Sequence, residues 1–495
     1  MNIKRAKNEI KNALRAYLAR DAFGAYRIPP IRQRPILLMG PPGIGKTQIM
    51  EQIAEETGVG LVSYTLTHHT RQSALGLPFI ETVQLGGAER TVTAYTMSEI
   101  IASVYREMER TGTKEGILFL DEINCISETL TPMMLQFLQC KTFGNQRLPD
   151  GWMVVAAGNP PEYNKSVREF DVVTLDRVKR IDVEEDFAVW KEYAYRRGIH
   201  GAILSYLEIR RDHFYRVEAT ADGLQFVTAR GWEDLSELMQ VYETLDLPVD
   251  RQVVGQYLQL PRVAADFANY LQLYEKYKRV YRVEEILDGA WEKVRASELA
   301  GAAFDEKLGV LGLLLARLAD SAREAYRLDR LTDALHQDLV HIREGEKMLG
   351  TLLDEKQAAL TRRRDAGSTD KDALFTAARE AERLAAFQQA LALEKVPKGQ
   401  AFERLKALFQ EDVQARADAA DRTDRQLANV FAFLDAAIPN SQELVLFATE
   451  LTANYFTSWF IQNFGCEAYF AHNKQLLFDD TRQRLLRKIG SAEPD

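Results

Sequence analysis

The chain has 495 residues, which exceeds the size that one hydrophobic core usually organises, so we expect roughly two to four domains. Its net charge is −9, from 72 acidic and 63 basic residues. This charge argues weakly against a general attraction of the protein surface to nucleic acid or an anionic membrane. The cysteines are odd in number and widely spaced, which favours neither a disulfide framework nor a zinc cluster: Cys125, Cys140 and Cys466. We therefore expect a protein of the reducing cytoplasm.

The N-terminal segment, residues 1–30, is predicted to be a helix followed by a linker. Residues 1–20 have a charged, amphipathic helical pattern and lack the apolar central stretch of a secretory signal. The longest apolar run of the chain, near residues 308–316, is far shorter than the roughly 18 residues that span a bilayer. We expect no membrane partner.

The first chemical motif directly follows the apolar run Ile36–Met39 and precedes a helical pattern. Its glycines let successive backbone N–H groups point at phosphates, its lysine adds a positive charge, and its threonine offers a hydroxyl to Mg²⁺. This is the pattern of a phosphate-binding loop, and it predicts a site for a nucleoside triphosphate, ATP, with Mg²⁺. The predicted nucleotide-binding residues are Gly40, Pro41, Pro42, Gly43, Ile44, Gly45, Lys46, Thr47 and Gln48.

Polar residues also end two later apolar strands. The run Ile117–Leu120 ends in Asp121 and Glu122, the pattern of a Walker B element. Asp121 is predicted to bind the Mg²⁺ that Thr47 also contacts, and Glu122 to polarise a water for attack on the γ-phosphate. A further strand, residues 153–157, is followed by Asn159, whose amide can hold the attacking water. The adjacent carboxylates predict hydrolysis as well as binding.

Apolar strands alternate with helical patterns from Ile36 to about Val183, which predicts an α/β core with a parallel sheet between helices over residues 31–185. After Glu184 helical patterns replace the strands, which predicts an all-α lid at 186–265 and a long all-α region at 266–495. Turn residues near 362–371 predict the tip of a helical hairpin. Coiled-coil-like spacing, in steps of three and four, appears in the long region at Leu308, Leu311, Leu315, Leu318, Ala322 and Ala325.

The motifs at residues 37–47, 118–124 and 157–160 occur in the order found in AAA+ ATPases, and the chain resembles the MoxR-like group of that family, with an ATPase domain of the dynein-related type. The resemblance covers roughly residues 30–270 and implies that Asn159 is sensor 1. It also implies that Arg177, in an element similar to the family's Leu-Asp-Arg, is the arginine finger supplied to a neighbouring subunit. Because Arg180 lies close behind, it stays the alternative finger. The resemblance also implies that Arg230 is sensor 2, which contacts the nucleotide of its own subunit or of the adjacent one.

Residues 79–85 and 89–95 have strand-like patterns and flank a turn at residues 86–88. Together they predict a β-hairpin near 76–96. It is similar to the helix-2 insert of the MoxR-like group, which faces the centre of a ring. The resemblance therefore implies a hexameric ring that couples ATP hydrolysis to the remodelling of a partner protein, one that bears a von Willebrand factor A domain. Two alternatives stay open: a McrB-like nucleic-acid motor or restriction-type subunit, which the acidic balance disfavours, and a nucleotide-switched helical scaffold.

Overall fold

The computed structural model describes residues 1–68, 76–86, 88–143, 146–163, 167, 170–220, 223–345, 347–365 and 370–472. Its contacts divide the chain into two compact units. The first unit comprises Met1–Trp190 and Phe214–Trp232, and the second comprises Lys191–His213 and the chain from Glu233 onwards. No helix within these described ranges is long and apolar enough to cross a membrane.

The strands all belong to the first unit. They are β1 (Ile36–Met39), β2 (Gly60–Thr65), β3 (Pro78–Leu85), β4 (Ala88–Tyr95), β5 (Gly116–Asp121), β6 (Thr142–Phe143), β7 (Gln146–Arg147), β8 (Trp152–Gly158), β9 (Lys179–Asp182), β10 (Arg216–Thr220) and β11 (Gly223–Val227). Five of them form a parallel sheet in the order β2-β5-β8-β1-β9. Its central strands are apolar along their whole length because helices cover both faces.

The helices of the first unit follow the same alternation. They are α1 (Ile3–Leu18), α2 (Lys46–Thr57), α3 (Glu99–Thr111), α4 (Thr131–Cys140) and α5 (Val172–Leu175), with the first residues of α6 (Phe187–Arg197) and of α8 (Ala229–Thr244). Short 3₁₀ turns occur at Pro30–Arg32, Leu66–His68 and Pro161–Tyr163.

Two hydrophobic cores lie on opposite faces of this sheet. Ile100 and Val104 of α3 pack with Phe137 of α4 over one face. Ile10 of α1 and Met50 of α2 pack over the other. Successive strand residues point to opposite faces, so each central strand contributes to both cores. The prediction of a parallel sheet between helices is therefore confirmed.

The second unit is helical. It contains the rest of α6 and α8 and the helices α7 (Gly201–Ile209), α9 (Arg251–Tyr257), α10 (Pro261–Tyr281), α11 (Val283–Leu287), α12 (Lys293–Gly301), α13 (Phe304–Arg343), α14 (Leu349–Asp365), α15 (Lys371–Leu393), α16 (Ala401–Ala437), α17 (Gln442–Ala453) and α18 (Tyr455–Phe464), with 3₁₀ turns at Arg211–His213 and Lys398–Gln400. The long helix α13 packs against α16. The prediction of a long helical C-terminal region is confirmed.

Within that region, the apolar positions spaced in steps of three and four lie on α13. All of them are buried except the half-buried Leu315. Around the predicted hairpin tip, α14 ends at Asp365, α15 begins at Lys371, and residues 366–369 lie outside the described residues. Residues 233–265 fall in the same unit as the helices that follow them. The domain boundaries at residues 30, 185 and 265 stay predictions.

One element differs from the sequence-based expectation. After Glu184 only helices were expected, but β10 and β11 pair as an antiparallel ribbon in which Arg216 lies opposite Val227. Each strand has only five residues and is half exposed, so it lacks the continuous apolar run that marks the sheet strands.

The strands β3 and β4 lie in the segment where a hairpin was predicted. They pair antiparallel, from Pro78 opposite Tyr95 to Leu85 opposite Ala88.

A buried lysine ends α4. Lys141 takes a left-handed backbone conformation, φ 56°, and its Nζ donates a hydrogen bond to Oε1 of Gln33 at 3.2 Å. The pKa of Lys141 is lowered to about 8, mainly by burial; Asp150 opposes the shift and Arg147 adds to it. The first unit therefore holds a cation whose charged form is disfavoured by its surroundings.

Candidate active site

The phosphate-binding loop connects β1 to α2 at the carboxyl edge of the sheet. Gly43 and Gly45 have φ of 74° and 91°, a left-handed conformation that residues with a Cβ rarely adopt. Gly45 is the N-cap of α2, so the free N–H groups of the first helical turn face the loop. This arrangement of backbone N–H groups at a helix N-terminus is a binding site for phosphate.

Lys46 is buried, with 8% of its surface exposed. Its Nζ donates hydrogen bonds to the carbonyl oxygens of Gly40 at 2.7 Å and Pro41 at 2.8 Å, and to Oδ1 of Asn159 at 2.8 Å. Burial lowers the pKa of Lys46 to about 8; Asp121 and Glu122 oppose the shift and Arg230 adds to it. The structure thus brings Lys46 and Asn159 together.

The two residues predicted to bind magnesium also lie together. Oγ1 of Thr47 donates a hydrogen bond to Oδ2 of Asp121 at 3.1 Å, where β5 ends beside the start of α2. A hydroxyl and one carboxylate are hard oxygen ligands, and Mg²⁺ is usually held by one or two carboxylates together with phosphate oxygens and water. The residues present therefore fit a magnesium ion bound with a nucleotide.

Glu122 follows Asp121 in a left-handed conformation, φ 57°. The turn is stabilised on both sides: N–H of Glu122 donates to Oδ1 of Asp121 at 2.9 Å, and N–H of Ile123 donates to the carbonyl of Ala157 on β8 at 2.9 Å. A non-glycine residue in this conformation costs on the order of 1–2 kcal/mol. Among the described residues, none is hydrogen-bonded to the Glu122 carboxylate, which leaves it available to a water.

Asn124 is a site residue that the sequence reasoning missed. Its Nδ2 donates to the carbonyl of Asn159 at 2.8 Å, and its Oδ1 accepts from N–H of Asn159 at 3.3 Å. A Cβ on Gly158 would lie only 2.6 Å from Oδ1 of Asn124, so a glycine is needed there for this approach. The signal in the sequence was a polar residue between the apolar Ile123 and Ile126, directly after the carboxylate pair.

The segment around Arg230 packs against the phosphate-binding loop of the same chain. A Cβ on Gly43 would lie 3.1 Å from Cβ of Thr228 and 3.4 Å from Cβ of Arg230. The hydroxyl of Tyr215, next to the ribbon β10–β11, donates to the carbonyl of Pro42 at 2.9 Å. The structure therefore brings Arg230 to the loop, together with Tyr215, which no motif in the sequence indicated.

The two candidate finger arginines lie elsewhere. Strand β9 begins at Lys179, which pairs with Ile36 at the start of β1, whereas the phosphate-binding loop follows the other end of β1. Arg177, just before β9, therefore lies near the opposite edge of the sheet from its own loop. It is exposed, and no hydrogen bond or ion pair with a described residue holds its guanidinium. Arg180 is also exposed, but its Nε is paired with Asp182 at 2.8 Å.

Comparison with known proteins gives the family of this region. Residues 35–178 match the profile of the AAA domain of the dynein-related subfamily. No curated protein sequence matches the chain. A solved structure, that of a candidate ATPase from Cytophaga hutchinsonii ATCC 33406, is similar at 17% identity over 39% of this chain and 55% of that chain, with a TM-score of 0.24. Because that superposition is poor, the assignment rests on the domain profile and the fold: residues 35–178 form an AAA domain of the AAA+ ATPase family.

Proposed function

We propose that this chain hydrolyses Mg-ATP in a ring of identical subunits and couples hydrolysis to the remodelling of a partner protein, as MoxR-like chaperones do. One observation carries the hydrolytic part. Lys46, Thr47, Asp121 and Asn159 come from three separate segments and are joined by hydrogen bonds of 2.8 and 3.1 Å at one edge of the sheet. A lysine, a hydroxyl and a carboxylate placed in this way are the groups with which P-loop NTPases hold the phosphates and Mg²⁺, and Asn159 lies beside them.

The chemistry follows from the residues of the site. The N–H groups at the start of α2 and the Lys46 ammonium bind the β- and γ-phosphates, and the magnesium ion, when bound, neutralises part of their charge. Water attacks the γ-phosphorus while the Glu122 carboxylate takes its proton. The bond from phosphorus to the bridging oxygen then breaks, and ADP leaves with that oxygen. Asn159 orients the water, and Arg230 stabilises the charge on the γ-phosphate.

The ring is proposed from the position of Arg177. Its exposed side chain lies away from its own phosphate-binding loop and makes no hydrogen bond or ion pair with a described residue, which suits a residue that enters the site of a neighbour. A guanidinium supplied in this way stabilises the charge of the transition state. Arg180, already paired with Asp182, is the weaker candidate. A hexamer is the expected ring.

Partner remodelling is supported by the hairpin β3–β4, which presents large apolar side chains to solvent. Leu77, Phe79 and Ile80 are all exposed at its start. Exposed apolar residues grouped on one element are typical of a contact with another protein. We propose that the hairpin contacts the remodelled protein, that a protein with a von Willebrand factor A domain is the partner, and that both act in the cytoplasm.

Hydrolysis is tested with two variants and their controls. Lys46→Ala is expected to lose nucleotide binding, and Glu122→Gln to bind ATP and stall, with turnover reduced at least about 100-fold. Lys114→Ala and Glu162→Gln change exposed residues of the same types and should leave turnover unchanged. Normal turnover in Glu122→Gln would refute its assignment as the base.

The partner is tested by affinity purification of Glu122→Gln with ATP present, because a stalled ring should hold its client. Lys46→Ala, which cannot be loaded, is the matched control. A protein with a von Willebrand factor A domain, recovered only with Glu122→Gln, supports the proposal. Recovery of nucleic acid or a nuclease instead would favour the McrB-like alternative. A monomer that turns over normally with Arg177→Ala would favour the scaffold.

A further inference from the structure

A cavity of ≈ 370 Å³ lies inside the helical second unit. Residues of helices α6, α7, α8, α10, α13, α17 and α18 line it, and every lining residue belongs to that unit. Pockets for small molecules usually measure about 300–1,000 Å³ and often lie between the helices of a bundle. None of its lining residues belongs to the nucleotide site described above.

Most charged groups in its wall are already paired with one another. Nζ of Lys191 lies 2.6 Å from Oε2 of Glu208 and 2.6 Å from Oε1 of Glu450, whose other oxygen accepts a hydrogen bond from the Tyr195 hydroxyl at 2.6 Å. On the other side, Glu243 is paired with His200 at 3.2 Å. These groups hold the wall together and require nothing from a ligand.

Three polar groups in the wall have hydrogen-bonding capacity that no described residue uses. The Tyr274 hydroxyl, on a side chain that is only 4% exposed, has no hydrogen bond within the described chain. Asn454 is 3% exposed, and its Oδ1 accepts hydrogen bonds from the N–H groups at the start of α18. Its Nδ2 has no described acceptor. Arg323 donates from Nε to Asp372 at 2.8 Å, and its guanidinium lies over the ring of Phe456, 5.1 Å from the centroid. No described residue accepts a hydrogen bond from Nη1 or Nη2.

None of these donors is among the described atoms that are fully buried without a hydrogen bond, so they are accessible from the cavity. A molecule that supplies acceptors gains about 0.5–1.5 kcal/mol for each hydrogen bond to them. The paired amino groups of a guanidinium match the two oxygens of a carboxylate. Gly198, with φ 73°, makes room for this group, because a Cβ there would collide with Nη1 of Arg323. The unused donors therefore indicate a carboxylate.

One acid in the wall is weakly paired. Asp320 lines the cavity with a side chain that is 70% exposed. Its ion pair with Arg317, at 3.7 Å, is longer than the one that Arg317 makes with Glu284, at 2.7 Å. Asp320 precedes Arg323 by one helical turn on α13, which separates their Cβ atoms by about 5–6 Å. A ligand carboxylate alone would face the charge of Asp320, whereas a zwitterion would satisfy both residues.

The remaining wall is apolar. Residues from α13 and α17 supply aliphatic and aromatic surface next to the polar groups: Leu308, Leu311, Leu315 and Phe447. We propose that this cavity binds an α-amino acid with an apolar side chain. Its carboxylate accepts hydrogen bonds from the amino groups of Arg323, the Asn454 amide and the Tyr274 hydroxyl. Its ammonium lies against Asp320, and its side chain lies against the leucines.

The test is calorimetric titration of the full-length protein with phenylalanine, leucine and tryptophan, and with two analogues of phenylalanine. The analogue 3-phenylpropanoate lacks the amino group, and 2-phenylethylamine lacks the carboxylate. At least one amino acid is expected to bind. Each analogue is expected to bind at least about tenfold more weakly than phenylalanine, because each lacks the group that contacts Arg323 or Asp320.

Variants assign the binding to the cavity. Tyr274→Phe removes only the hydroxyl and is expected to weaken binding about 2- to 10-fold, and Asp320→Asn about 10-fold or more. Tyr277→Phe and Asp333→Asn, on the same helices but outside the cavity wall, should bind as the wild type does. Lys46→Ala should also bind normally, since the cavity does not use the nucleotide site.

Two results would overturn the proposal. The first is the absence of binding by all three amino acids, or binding that neither Tyr274→Phe nor Asp320→Asn weakens. The second is binding of 3-phenylpropanoate as tight as that of phenylalanine, which would remove the role given to Asp320 and the amino group.

Discussion

Asn124 is predicted to act in hydrolysis only by holding Asn159. Its side chain makes two hydrogen bonds to the backbone of Asn159, at 2.8 and 3.3 Å, and is itself buried. Asn124→Ala removes both, and at about 0.5–1.5 kcal/mol each this weakens the placement of Asn159 by about 1–3 kcal/mol. If that loss is felt in the transition state, kcat falls about 5- to 150-fold. The affinity for ATP should change little, because the described hydrogen bonds of the Asn124 side chain go to Asn159 and not to the phosphate-binding loop.

The assay is steady-state ATPase kinetics with nucleotide binding measured separately. Ser127→Ala changes an exposed hydroxyl in the same loop and should leave kcat unchanged. A double-mutant cycle isolates the mechanism: if Asn124 acts through Asn159, the double variant with Asn159→Ala should be no slower than Asn159→Ala alone. Effects of the two substitutions that add, or a loss of ATP affinity in Asn124→Ala, would refute the reasoning.

Three further predictions concern other residues. Arg177→Ala should abolish most ATP turnover, and mixing it with Lys46→Ala subunits should restore part of that turnover. Arg180→Ala should turn over ATP near the wild-type rate. If instead Arg180→Ala loses turnover and Arg177→Ala keeps it, Arg180 is the finger. Tyr215→Phe should weaken ATP binding about 2- to 10-fold by freeing the loop carbonyl, as measured by calorimetry, and an unchanged affinity would contradict this. Lys141→Met should stabilise the fold by about 1–3 kcal/mol at pH 7. The pKa of Lys141 is about 8 in the folded protein and 10.5 ordinarily, so the stability of the wild type should rise as the pH rises from 8 to 10.5. Denaturation midpoints measured across this pH range should show the rise in the wild type and not in the variant.

The chemical motifs could be found in the sequence because each depends on neighbours along the chain. The loop from Gly40 to Thr47 needs glycines at positions of positive φ and a lysine at the start of a helix, and these requirements are local. Asp121 and Glu122 are recognisable because they end a continuous apolar strand. The parallel sheet was predictable for the same reason, since strands buried on both faces are apolar throughout.

Pairs that are distant in the chain were not predictable. The contacts of Asn124 with Asn159 and of Tyr215 with Pro42 join residues 35 and 173 positions apart. A single polar residue has the same appearance in a sequence whether it faces solvent or a buried backbone group. The ribbon β10–β11 was missed because its short, half-exposed strands carry no apolar run.

The sequence by itself determined the phosphate-binding motif and the fold class, because both are encoded in local backbone requirements and in the period of apolar residues. Only the tertiary structure decided which polar groups meet. It brought Arg230 to its own phosphate-binding loop, kept Arg177 near the opposite edge of the sheet, and left Tyr274 and Asn454 facing a cavity. These outcomes depend on how helices and strands pack, and packing joins residues that no local pattern connects.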